Sequence, residues 1–117
     1  MKKNLAGIDG VDIGVIYHLT FNSNPRLRYI GQTTNLDKRL DLHRALASGR
    51  IPFDGLNRLV TIAWKAYGEP EVLILATVPR ILLNQYEIML IKDLGTLSPH
   101  GLNVHKGGQG RSNPPKV

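Results

Sequence analysis

Two short apolar runs joined by very little chain constrain the fold most. Residues 14–21, GVIYHLTF, are dominated by β-branched and aromatic residues, which suit a pleated, half-buried strand. Residues 27–32, LRYIGQ, read as a second strand. The intervening NSNPR, 22–26, consists of turn-formers: Asn and Ser bond their own backbone, and Pro25 has no N–H to offer a sheet. A connection this short disfavours a parallel pair, so 14–32 is read as an antiparallel hairpin. Alternation puts Val15, Tyr17, Leu19 and Phe21 on one face of the first strand. It groups Leu27, Tyr29 and Gly31 on one face of the second.

Helical signals follow. Asn35 is an N-cap residue and Gly49 a C′ residue, which brackets a helix over 36–48. Leu56, Leu59, Val60, Ala63 and Tyr67 recur at helical spacing, predicting a second helix over 55–67 that Gly68 and Pro70 stop. The run VLILATV, 72–78, is too short for most helices and predicts a central strand buried on both faces. A third helix spans 80–94 and ends at Gly95; from Ser98 on, Gly and Pro predict irregular chain. The order β-β-α-α-β-α gives a small α+β domain, a three-stranded antiparallel sheet flanked by helices. A chain of 117 residues fits one such domain, taken as 1–110, with a flexible tail over 111–117.

Charge narrows the partners. Fifteen Lys and Arg against nine Asp and Glu give a net charge of +6, which favours a polyanion, nucleic acid ahead of an anionic membrane. The chain has no cysteine, which excludes a disulfide framework and a thiolate zinc site and fits a reducing compartment. Asp9 and Asp12 interrupt the N-terminal stretch, so no signal peptide is expected. No 18-residue apolar window exists either; the expectation is a cytoplasmic protein with no membrane partner.

Placement of polar groups is the most informative local fact. Leu36, Leu40, Leu46 and Ala47 share one face of the first helix, and Arg39 and His43 fall inside that apolar arc. On the third helix Glu87 sits within the stripe of Leu83, Leu90, Ile91 and Leu94. Charges directed at an interior need partners. From the wheels alone, an internal ion pair of Glu87 with Arg39 or His43 is at least as good a reading as a catalytic site. Snorkelling of long side chains is a further alternative.

Taken together, the set resembles the GIY-YIG nuclease family. It comprises Ile16-Tyr17 on the first strand, Tyr29-Ile30-Gly31 on the second, Arg39-x-x-x-His43 on the first helix and Glu87 on the last. GLN at 101–103 and GGQG at 107–110 follow. The family's Gly-Ile-Tyr is stretched here to Gly14-Val15-Ile16-Tyr17. The resemblance implies a metal-dependent endonuclease that cuts DNA. It implies Glu87 as the ligand of a single Mg²⁺ or Mn²⁺ and Arg39 as the group that neutralises phosphoryl charge. Tyr17 would be the general base, with His43 relaying the proton, Tyr29 orienting water or phosphate, and Asn103 bracing the site. Choice of target would fall to a homodimer or a separate targeting partner. The alternative is a catalytically silent nucleic-acid-binding module on the same fold. Lys2, Lys3, Arg26, Arg28, Lys106, Arg111 and Lys116 are candidates for a phosphate-tracking surface.

Overall fold

The structure is a computed structural model that describes residues 12–52 and 58–108. Its elements are β1 (Ile13–Thr20), β2 (Arg28–Thr33), α1 (Leu36–Ser48), α2 (Arg58–Tyr67), β3 (Glu71–Pro79) and α3 (Leu83–Leu94). A 3₁₀ turn, Arg80–Leu82, leads into α3. The three strands form one sheet in the order β2-β1-β3, and both pairings are antiparallel. The α+β architecture expected from the sequence is the one observed. Predicted positions 55–57 of the second helix and the 111–117 tail lie outside the described residues.

The hairpin closes as the turn residues dictate. The Phe21 N–H donates to the Leu27 carbonyl (3.0 Å), and Asn22 and Ser23 take left-handed conformations with φ of 55° and 50°. Helix α1 is capped as read: the Asn35 side chain accepts from the Lys38 N–H, and Gly49 turns left-handed at φ 79°.

The helices divide between the two faces of the sheet. Tyr17 and Leu19 of β1 and Phe21 just after it pack with Leu40 of α1, Val60, Ala63 and Trp64 of α2, and Leu102. On the opposite face Ile16, Ile30 and Val78 pack with Leu83 and Ile91 of α3. Gly14 belongs to that second face. A Cβ there would lie 2.5 Å from Leu83 Cδ1, so the displaced glycine admits the first turn of α3 against the sheet.

Two sequence expectations need correcting. The apolar run 72–78 forms an edge strand, not a central one, with Val72, Leu73 and Ile74 exposed by 39%, 58% and 50%. The central place belongs to β1, which has a neighbour on each side, and cover closes only toward the far end of β3, where Val78 is buried. Tyr67, placed among the apolar positions of α2, is 51% exposed; the buried face of that helix is Val60, Thr61, Ala63 and Trp64. The register of β1 against β3 also slips between Ile16, opposite Ala76, and Tyr17, opposite Ile74. This bulge adjoins Tyr17 and bends the sheet there.

Beyond α3 the chain runs back along the outer edge of β2. The Leu102 N–H donates to the Arg28 carbonyl (2.8 Å). The Asn103 side chain treats Ile30 as a strand neighbour would: Oδ1 accepts from the Ile30 N–H (2.9 Å) and Nδ2 donates to the Ile30 carbonyl (2.8 Å). The Thr96 hydroxyl donates to the same Oδ1 at 2.8 Å.

Candidate active site

Tyr17 stands at the centre. It projects from β1 directly opposite Gly31 of β2. A Cβ at position 31 would lie 2.6 Å from both Cζ and Oη of Tyr17, so the missing side chain makes the seat for the phenol. The residue opposite Leu19 is Tyr29, which brings the second phenol to the same face. Helix α1 supplies His43 above them. The ring centroids of Tyr17, Tyr29 and His43 are 6.2 Å apart in every pairing.

The Tyr17 hydroxyl lies 3.1 Å from His43 Nε2. Arg39 and Tyr29 act on the same hydroxyl by hydrogen bonding that favours the phenolate, so toward them the Tyr17 oxygen is an acceptor. Its proton is therefore assigned to the bond with His43, whose Nε2 accepts. Burial nevertheless dominates. Tyr17 is fully buried, and desolvation raises its pKa to about 12, against the lowering by Arg39 and with a further raise from the charge of Glu87. The same burial, aided by the Arg39 charge, pushes His43 down to about 4. At neutral pH the pair is a phenol and a neutral imidazole.

Trp64 was not singled out in the sequence, yet it fixes His43. Its indole stacks on the imidazole at 5.6 Å and 19°, and its N–H donates to Glu69 (3.2 Å), which Arg44 holds through two bonds of 2.8 and 3.0 Å. Behind this layer lies an open groove lined by Arg44, Ser48, Arg50, Trp64, Lys65 and Glu69, one layer removed from Tyr17.

Arg39 and Glu87 approach from opposite faces of β2 and meet at Gln32. The Arg39 Nη1 donates to the Gln32 carbonyl (3.2 Å). The Gln32 side chain donates from Nε2 to Glu87 Oε1 (2.9 Å) and to Asn84 Oδ1 (2.8 Å). The Gly108 N–H also donates to Glu87 Oε1, at 2.9 Å. Glu87 is 8% exposed, and among the described residues it forms no ion pair with Arg39, His43 or any other cation. The internal ion pair that the helical wheels left open is thus not formed. A buried carboxylate without a cationic partner is a ready ligand for a metal ion.

No cluster of three His, Cys, Asp or Glu capable of holding a metal occurs among the described residues. One carboxylate oxygen suits Mg²⁺ or Mn²⁺, which keep much of their water shell, and does not meet the several N or S ligands of zinc. Tyr17, Tyr29 and His43 cluster on one face of the sheet with Arg39 beside the Tyr17 hydroxyl, Glu87 is joined to Arg39 through Gln32, and Asn103 lies against the Ile30 backbone. Of the cations considered for phosphate tracking, Arg28 is committed elsewhere: it donates to the carbonyls of Pro25 (3.0 Å) and Leu94 (2.8 Å). Arg26 and Lys106 are exposed; Lys2, Lys3, Arg111 and Lys116 lie outside the described residues.

A family model for the GIY-YIG catalytic domain matches residues 13–96. The chain belongs to the GIY-YIG family. Members of that family are nucleases, and the matched span holds Tyr17, Tyr29, Arg39, His43 and Glu87, whereas Asn103 and the Gly107–Gly108 pair follow it. No curated protein and no solved structure matches the chain. No helix among the described residues is long and apolar enough to cross a membrane.

Proposed function

We propose that this protein is a metal-dependent endonuclease that hydrolyses DNA phosphodiester bonds at a single-metal site. The observation that carries the proposal is that a permanent cation, Arg39, beside a buried phenol–imidazole pair is joined through Gln32 to an ion-pair-free carboxylate, Glu87. The net charge of +6 supports a polyanionic substrate.

Glu87 would hold one Mg²⁺ or Mn²⁺; when bound, the ion supplies Lewis-acid stabilisation of the departing 3′ oxygen. Arg39, always charged and forked, neutralises charge on the non-bridging phosphoryl oxygens. Tyr17 receives a proton from the attacking water while passing its own to His43 Nε2, and Tyr29 orients the water. The water oxygen bonds to phosphorus, the P–O3′ bond breaks, the departing 3′ oxygen takes a proton from solvent while His43 afterwards releases to solvent the one it received, and the products are a 5′-phosphate and a 3′-hydroxyl. The relay is concerted, because burial raises the Tyr17 pKa and lowers that of His43 and so disfavours a separately formed phenolate and imidazolium. Cutting both strands with one such site takes two protomers or two successive nicks.

The test is supercoiled plasmid incubated with the protein and MgCl₂ or MnCl₂. Nicking that is abolished by EDTA and by Glu87→Ala is expected. Intact plasmid with wild type under every metal would leave the domain as a silent nucleic-acid-binding module.

A further inference from the structure

The Glu87 carboxylate is not left to its rotamers. Two donors from distant parts of the chain converge on one of its oxygens: Gln32 Nε2 from β2 and the Gly108 N–H from the chain beyond α3, both 2.9 Å from Oε1. Among the described residues Oε2 has no partner, so the pair fixes which oxygen faces outward. We infer that Gln32 and the Gly107–Gly108 strap are positioning elements that aim Glu87 Oε2 at its ligand.

The strap is built for close approach. Both glycines have positive φ, 100° at Gly107 and 84° at Gly108. A Cβ at Gly107 would meet Ile91 Cδ1 at 3.0 Å, the Ile88 backbone nitrogen at 3.3 Å and Glu87 Cγ at 3.4 Å. One at Gly108 would meet Ile88 Cδ1 at 2.6 Å. Only a backbone without side chains lies this flat on α3 and still turns its N–H to the carboxylate. Chain that is merely irregular, as Gly and Pro predict from Ser98 on, has no need of such contacts. Gln32 is anchored as well. Its Nε2 also donates to Asn84 Oδ1 at 2.8 Å, and its carbonyl holds Arg39 Nη1, so one residue ties the orientation of the anion to that of the cation.

The inference rests on the nuclease reading for what Oε2 meets, so the test separates the two. In metal-free, ¹⁵N-labelled protein, Glu87→Gln should shift the Gly108 amide proton upfield and move the Gln32 side-chain amide. Binding of MnCl₂, followed by electron paramagnetic resonance without DNA, should weaken about 10-fold in Gln32→Leu and in Gly108→Pro, as outer-shell partners of metal ligands generally do. Gln32→Asn, which keeps the amide but shortens its reach, should weaken it similarly while melting close to wild type. An unmoved Gly108 amide in Glu87→Gln overturns the clamp. Unchanged Mn²⁺ affinity in the folded Gln32 and Gly108 variants overturns the positioning role. Unchanged affinity in Glu87→Gln instead removes the carboxylate as a metal ligand and sinks the proposed function, and the amide shifts alone then decide the clamp.

Discussion

Acid should unfold this protein partly through His43. The imidazole is 1% exposed, with Arg39, Tyr17, Tyr29 and Trp64 about it, and it is held neutral with its pKa lowered from 6.5 to about 4. The sign follows from proton counting. Below pH 6.5 the unfolded chain binds a proton at this residue and the folded chain does not, so stability falls as pH falls. The loss begins near pH 6.5, runs at up to ~1.4 kcal/mol per unit and is complete near pH 4, for a total of about 3 kcal/mol. Because His18 and the carboxylates titrate too, the comparison is with His43→Gln, which keeps an acceptor for the Tyr17 hydroxyl but cannot charge. Urea unfolding at half-unit pH steps gives both stabilities. Wild type minus variant should be level above pH 7 and drop by about 3 kcal/mol by pH 4. A difference that stays level to pH 4 would mean that burial does not depress the His43 pKa, and one that rises would mean that the folded state favours the imidazolium, so that the neutral acceptor assigned to Tyr17 would be wrong.

Gly31→Ala should be costly although it adds one methyl, because Tyr17 Cζ and Oη are only 2.6 Å from the new Cβ and Tyr17 is fully buried. A loss of ~1–3 kcal/mol in urea unfolding is expected, and a cleavage defect that persists well below the melting temperature; wild-type behaviour in both would contradict the seat described for the phenol. Asn103→Ala strips partners from the Ile30 N–H, the Ile30 carbonyl and the Thr96 hydroxyl. At ~1–3 kcal/mol for each buried group and with incomplete additivity, about 3 kcal/mol is expected, a fall of roughly 10 °C in a thermal melt. A fall of only a degree or two would show that the edge of β2 does not depend on this side chain.

Much of the site was legible because strand and helix periods act locally. Alternation put Tyr17 on one face of the first strand and Tyr29 with Gly31 on one face of the second, which the register then sets opposite each other, and the arc of α1 turned His43 inward. Burial of Glu87 followed from its place in the stripe of α3. The position of β3 was not legible, since an apolar run records that something covers it but not whether a strand lies on one side or on two. Gln32, Trp64 and the bond of Gly108 to Glu87 were not legible for a related reason. Each owes its role to long-range contact, as between Gln32 and Glu87 across 55 residues, and no period links them. The one available cue for Gln32 was polarity immediately after Gly31, on the face opposite to Tyr29.

That five side chains work as one site is tested most directly by single-turnover cleavage of a DNA duplex by Arg39→Ala, Glu87→Gln and the variant carrying both. Groups that act as a unit are not additive. Each single change should abolish nearly all cleavage, and the double variant should be no slower than the worse single one, with DNA binding retained in all three. Cleavage by Glu87→Gln at the wild-type rate, or losses that simply multiply in the double variant, would contradict the shared site.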